Sequence, residues 1–293
     1  MKFQFDATQQ YQLDAVAAIS DIFKGQQRKS VQYSVMVGGE DVGQFPGFVD
    51  TDNNVGNVLG ITETELRSNV REIQSRNQIA DAEASTELAH WVLDDPMNGL
   101  PRACPQFTVE METGTGKTYV YLRTIMELAK KYGYRKFVIV VPSVAIREGT
   151  LKSIEQTKEH LLTLYNEPVN SFVYDSKNVN RLRQFAASNS VEVMVINIQA
   201  FVKGYSKASD GDSEDSGNVI YRRSDKLSGK RPIDFVHAAR PIVIVDEPQS
   251  VDGTDKAKDA LMQLNPLCML RYSATHKDRY NLMYVLDPIR AFQ

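Results

Sequence analysis

Residues 107–118, FTVEMETGTGKT, place glycines, a lysine and a threonine directly after a short apolar run. Such a run reads as a strand, then a loop whose backbone N–H groups converge on an anion, then the first turn of a helix. Gly114 and Gly116, interleaved with Thr113 and Thr115, let the backbone turn inward. Lys117 offers a cation for the β- and γ-phosphates of a nucleotide, and Thr118 a hydroxyl for magnesium. The strict phosphate-loop pattern begins with glycine, where this chain has Met111. A bare GTGKT is therefore also compatible with an ordinary turn. The second chemical element is PIVIVDEPQS at 241–250. Ile242 to Val245 reads as a buried strand that delivers Asp246 and Glu247 at its end. In a phosphate-loop enzyme the aspartate there holds magnesium and the next carboxylate orients and activates the attacking water. The plain alternative is an acidic pair capping a helix. A phosphate loop upstream in the same chain favours the metal-binding role.

Positioning these groups requires a sheet with helices on it. Short apolar runs at Phe137 to Val141, Phe172 to Tyr174, Val191 to Ile196, Ile242 to Val245 and Leu267 to Leu270 have the unalternating pattern of strands buried on both faces. Helical segments separate them, including Val144 to Tyr165 and Asn178 to Ala187. After the loop, Val120, Leu122, Ile125, Met126 and Ala129 recur near helical spacing, so that a helix N-terminus faces the phosphates. Strand–helix alternation predicts an α/β fold with a mostly parallel central sheet flanked by helices. Ligands of such sheets sit at the carboxyl ends of the strands, where all these loops fall. A helix over about Gln10 to Phe23 precedes an interrupted stretch, 26–100, with a possible hairpin (Val31 to Met36, then a Gly-rich turn) and a polar helix near Gln78 to Val92. SDGDSEDSGN at 209–218 reads as a solvated loop tip, and Arg222, Arg223, Lys226, Lys230 and Arg231 after it as a solvated face.

With a net charge of −3, the chain does not announce a nucleic-acid binder, although a local groove can be basic on an acidic protein. Cys104 and Cys268 are far apart and lack paired zinc spacing, so a reducing compartment fits best. His90, His160, His237 and His276 are scattered and read as satisfied or surface side chains. The N-terminus has no apolar signal region and no apolar string is long enough for a bilayer, so a cytoplasmic protein is expected.

GTGKT, the DE pair and SAT at Ser273-Ala274-Thr275 stand in the order of motifs I, II and III of superfamily 2 helicases and translocases, which the chain resembles. Within that superfamily it is most similar to the restriction (Res) subunit of type III restriction–modification systems. FTVEMETGTGKTYVYLRTI and IVIVDEPQS, with DEPQ in place of DEAD or DEAH, carry this likeness. FQFDATQQYQLDAV, VVPSVAIREG and RYSATHKD also follow that subunit's pattern. The likeness is weakest across 26–100 and 205–230, and Met111 agrees with the family's own version of the loop.

The resemblance implies a RecA-like domain that hydrolyses ATP with Mg2+ and couples this to movement on DNA, beside a modification (methyltransferase) subunit. It implies that Thr113 to Thr118 bind the triphosphate, that Thr118 and Asp246 hold the metal, and that Glu247 is the base. Gln249, Ser273 and Thr275 fall where the superfamily couples nucleotide to its second motor domain. Gln12 resembles the glutamine that reads the adenine edge, although Gln9 and Gln10 lie beside it. Ser143 and Arg147, and Asn197 and Gln199, fall at segments that contact the nucleic-acid backbone. Bland roles stay open for several: a salt bridge at a helix start for Arg147, a polar turn for Ser273 and Thr275.

The expected organisation is an N-terminal helix with the adenine-reading glutamine over 1–25, a family-specific insertion over 26–100, and a first motor domain over 101–293 with an acidic loop at about 205–230. Only residues 276–293 follow SAT. The second motor domain with its arginine finger, and the nuclease, are therefore expected to be absent, and the chain by itself weakly active. Two other functions are compatible with these residues. One is a nucleotide-binding module or phosphotransferase with no nucleic-acid role; the other is a catalytically idle truncated product.

Overall fold

A computed structural model of the chain describes residues 5–28, 33–35, 53–79, 87–94, 99–202, 219–224, 227 and 229–286. The acidic stretch 209–218, Lys226 and the ends of the expected hairpin lie outside them. The N-terminal helix α1 spans Gln10–Ser20 and runs into a 3-10 turn, Asp21–Phe23. Before the phosphate loop come β1 (Tyr33–Val35), β2 (Asn53–Val55), α2 (Glu63–Arg76), β3 (His90–Asp94) and β4 (Pro101–Met111). After it follow α3 (Lys117–Tyr132), β5 (Lys136–Val141), α4 (Val144–Tyr165), β6 (Val169–Val173), α5 (Asn180–Ala187), β7 (Val191–Asn197) and α6 (Gln199–Val202). The remainder is α7 (Pro232–Ala239), β8 (Ile242–Asp246), α8 (Pro248–Val251), α9 (Asp255–Met262), β9 (Cys268–Ser273) and β10 (Leu282–Leu286).

The main sheet has eight strands, in the order β10-β4-β9-β8-β5-β7-β6, with β3 paired to β4 off this path. Every pairing along the path is parallel, and β3 alone is antiparallel. Alternate residues of the central strands feed two separate cores. Phe137, Ile139, Ile244 and Leu270 pack with α1, α2, α3 and α4. Val138, Val140, Val243 and Met269 pack with α5, α7 and α9. Burial on both faces explains why the strands read as continuous apolar runs. The α/β fold is as expected, with helices on both faces of a parallel sheet.

Local chemistry sets the helix bounds. Ser143 caps α4 by accepting the Ile146 N–H, and Asn166 ends it in the left-handed region at φ 50°. Gly133, at φ 78°, closes α3 in the same way.

The interrupted stretch departs from the sequence expectation. The expected hairpin is represented by β1, which pairs antiparallel with β2. Of the helix expected near Gln78 to Val92, residues 80–86 lie outside the described residues, and a polar helix is found earlier, as α2. Thr62 and Glu65 form a reciprocal capping box that starts α2, whose Leu66, Val70 and Ile73 face the core. His90–Asp94 instead extends along Pro101–Pro105 of β4 as a strand, with Val92 exposed and Leu93 buried. Period-two burial won over helical polarity there. The strand β10 had no counterpart in the sequence reading. No helix among the described residues is long and apolar enough to cross a membrane.

Candidate nucleotide site

Three neighbouring strands end together. β4 leads into the phosphate loop, β9 ends on Ser273 and β8 ends on Asp246, with β9 between the other two. In the loop, Gly114 and Gly116 take φ values of 87° and 86°, a region that disfavours any side chain. The Thr115 hydroxyl donates to the Glu112 carbonyl at 2.6 Å and tightens the turn. Helix α3 then begins at Lys117 with no side-chain cap, so its first N–H groups are open to an anion.

Lys117 Nζ donates to the Met111 carbonyl at 3.3 Å and lies 3.4 Å from Glu247 Oε1. Glu247 itself takes a left-handed backbone, φ 53° and ψ 62°, unusual for a residue with a side chain. Its N–H donates to the Tyr272 carbonyl, which ties the turn to β9. Ser273 Oγ and Gln249 Nε2 both donate to Glu247 Oε2, at 2.6 and 2.8 Å. Ser273 Oγ also lies 3.1 Å from Gln249 Oε1, and the Thr275 N–H lies 3.4 Å from Ser273 Oγ. The DEPQ and SAT segments, distant in sequence, therefore share one carboxylate.

The two acids differ electrostatically. Burial and the neighbouring Glu247 charge push the Asp246 carboxyl up to about 6, partly offset by Lys117 and the Tyr121 hydroxyl. Burial would also raise Glu247. The Ser273 and Gln249 hydrogen bonds and the Lys117 charge outweigh it, so its carboxyl stays below the usual range. Tyr121, one turn along α3 from Thr118, is fully buried, and its hydroxyl lies by Asp246, Thr118 and Thr150. No sequence signal singled it out beyond its spacing from Thr118.

Gln12 reaches this loop from α1. Its Nε2 donates to the Thr115 carbonyl at 3.1 Å. Its glutamine neighbours are engaged locally, Gln9 with the Tyr11 hydroxyl and Gln10 with Asp14.

The remaining expected residues sit farther along the same sheet edge, beyond β8. Ser143 follows β5, and Asn197 ends β7 beside it. Ser143 is occupied as the α4 cap, and Asn197 Oδ1 accepts the Gln199 N–H at 3.0 Å. Arg147 pairs with the exposed Glu148 at 2.8 Å, the salt bridge anticipated as its bland role. With Phe172, Tyr174, Asn178 and Arg181 it lines a groove of about 630 Å³. The structure thus brings Lys117, Glu247, Gln249 and Ser273 into contact, while the four backbone-contact candidates follow the neighbouring strands β5 and β7, with Arg147 alone among them lining the groove.

The segment after SAT is also anchored at the site. His276 bonds through its ring Nε2 with the Val109 carbonyl at 3.2 Å. Burial and the Arg271 and Arg279 charges hold this imidazole down at about 4 against that bond and the attraction of Glu247, so it is neutral near pH 7.

Comparison with known proteins points the same way. The family model for the type III restriction enzyme, res subunit, matches residues 69–278. The chain is 27% identical to the Type III restriction-modification enzyme EcoP15I Res subunit of Escherichia coli, over 80% of this chain and 24% of that protein. It is also 27% identical to the EcoPI Res subunit of Escherichia phage P1, with the same coverage. To the StyLTI Res subunit of Salmonella typhimurium it is 31% identical, over 58% of this chain and 18% of that protein. The chain thus spans about a quarter of the length of the first two relatives. With most of its length matched by that family model, the chain belongs to the family of type III restriction enzyme res subunits.

Proposed function

We propose that the chain binds ATP with magnesium across the ends of β4, β9 and β8 and hydrolyses it, as the first motor domain of a restriction subunit that moves on DNA beside a modification subunit. The observation that carries this is the shared carboxylate: Lys117, Ser273 and Gln249 all converge on Glu247.

The residues fit the nucleotide and its metal. Asp246 is buried with its pKa pushed up, beside the buried Tyr121 hydroxyl. A buried carboxylate short of counter-charge, close to Thr118, suits a hard divalent cation. Thr118 and Asp246 would hold it on the protein side. When bound, magnesium neutralises phosphate charge and polarises the bond that breaks.

The chain's own groups divide the remaining work. Lys117 turns from Met111 and Glu247 to the phosphates, giving up two long contacts for charge-assisted ones. Backbone N–H groups of the loop and of the first turn of α3 cradle the same anion. Glu247, kept ionised, accepts the proton of the attacking water. Ser273 and Gln249 hold its carboxylate in one orientation. Gln12, whose Nε2 donates to the Thr115 carbonyl, would read the base. Ser143, Arg147, Asn197 and Gln199 would grip the DNA backbone, giving salt-dependent affinity without sequence reading.

ATP hydrolysis measured on the wild-type chain and on E247Q tests the assignment. Removal of a general base should lower the magnesium-dependent rate by about 100-fold or more while ATP still binds. A rate unchanged in E247Q contradicts it. Stimulation of the rate by duplex DNA supports the motor reading; indifference to any nucleic acid favours a plain nucleotide-binding module.

A further inference from the structure

Glu110 is a charged residue in the apolar strand that feeds the phosphate loop, and its side chain is only 6% exposed. It lies in register with Ser273 on β9 and Val285 on β10. Its carboxylate takes a two-pronged grip from Arg279, Nε to Oε1 at 2.8 Å and Nη2 to Oε2 at 2.9 Å. The His276 N–H adds a longer bond to Oε1 at 3.3 Å. One carboxylate on the phosphate-loop strand therefore fastens both ends of 276–279, the segment that continues directly from SAT.

The next residues are fastened too. Tyr280 stacks against the Arg271 guanidinium at 5.0 Å and meets Trp91 edge-on, with ring centroids 6.1 Å apart. Asn281 Nδ2 donates to the Gln106 and Ala89 carbonyls at 2.7 and 2.9 Å.

Stability alone does not call for this arrangement. Burying the Glu110 carboxylate costs desolvation that its half-exposed partner Arg279 repays poorly, and an apolar side chain there would serve the core as well or better. A bidentate arginine–carboxylate pair does supply fixed geometry. Here it registers the SAT segment against the strand whose last carbonyl, at Met111, holds Lys117. Ser273, the hydroxyl on Glu247, lies in register with Glu110 across the pairing of β4 and β9.

We propose that Glu110 and Arg279 are positioning residues: their pairing locks the segment after SAT to the phosphate-loop strand, so that nucleotide arriving at Lys117 and Glu247 is felt along residues 276–281. The inference rests on the nucleotide-binding function proposed above. The chain's single tryptophan, Trp91, packs against Tyr280 in that segment and serves as the reporter.

The experiment titrates a fluorescent ATP analogue with magnesium into the 293-residue chain and follows Trp91 emission with unlabelled ATP in parallel. Wild type, E110Q and R279K are compared. Wild type should bind and show a saturable change in Trp91 emission. Both variants should keep analogue affinity within about twofold and lose half or more of the emission change, with R279K, which keeps the charge but not the fork, between wild type and E110Q. Arg279 is 44% exposed, so its variant carries the test if E110Q does not fold. A full emission change in both variants, or none in wild type despite binding, overturns the inference. Affinity, melting temperature and emission change falling together would mean a merely structural role and would also overturn it. Absence of analogue binding by wild type would instead sink the nucleotide-binding function itself.

Discussion

Asp246 and Glu247 are adjacent carboxylates with opposite electrostatics, and the contrast has a measurable consequence. The folded-state pKa of Asp246, about 6, lies above its ordinary 3.8. The folded chain therefore holds that proton more tightly than the unfolded chain. The stability this contributes is fully present below pH 3.8 and is lost as pH rises through about 6. D246N mimics the protonated side chain. Without nucleotide near neutral pH it should be more stable than wild type, on the order of 1–3 kcal/mol, and the gap should close as pH falls toward 4. Chemical denaturation across that pH range checks this; a gap independent of pH contradicts it. The same proton competes with a metal, so magnesium-dependent ATP affinity should weaken below about pH 6. At this scale the sequence singled out Lys117, Asp246, Glu247 and Ser273, and the fold brings Lys117 and Ser273 to Glu247. It was silent on Tyr121 and Arg279, because their roles come from neighbours far away in the chain. Glu110 did carry a signal, a charge inside an apolar run, which only the structure explains.

Among the elements, the phosphate loop makes the sharpest demand on the backbone. Gly116 combines φ 86° with a spot where an added Cβ would lie 2.8 Å from Gln12 Nε2. G116A should therefore cost about 1–2 kcal/mol from the left-handed backbone alone, with a further cost for displacing Gln12 from Thr115. Thermal unfolding of G116A checks this, and an unchanged midpoint contradicts it. The helices α3 and α4 and the strands β5, β7 and β8 were legible because caps, spacing and unbroken Val/Ile runs agree. The stretch before the loop was not. Its one reciprocal capping signal, Thr62 with Glu65, starts α2 well before the expected helix, and β3 exists because β4 offers it an antiparallel partner. Cross-strand pairing of that kind leaves little trace in a single strand's composition.

For the whole molecule, the strand order would keep the two proposed tasks apart along one edge. β4, β9 and β8 bring the phosphate-loop, SAT and DEPQ groups together, while β5 and β7 present the candidate DNA contacts next to them. Because β5 adjoins β8, movement at the DEPQ turn has a short route to those contacts. R147A should weaken DNA binding and flatten its salt dependence by about one unit of slope, read from binding curves at several salt concentrations; an unchanged slope would remove Arg147 from the interface. Among the described residues of 26–100, Asn57 ties the chain to the start of β5. Asn57 Oδ1 accepts the Arg135 and Lys136 N–H groups at 2.9 and 3.2 Å, and its Nδ2 donates to the Lys136 carbonyl at 2.7 Å. N57A would strand buried backbone groups at the start of β5, costing about 1–3 kcal/mol by denaturant titration. A neutral result would show that this stretch is only draped on the sheet.

The central claim, that the ends of β4, β9 and β8 form one ATP site, is tested most directly by calorimetric titration of ATP into the wild-type chain and K117A, each with magnesium and with a chelator. The account predicts saturable binding by wild type in magnesium, weakened about tenfold or more by K117A as a charge-assisted contact is lost, and weakened again by the chelator. No binding by wild type, or binding indifferent to Lys117, would contradict it.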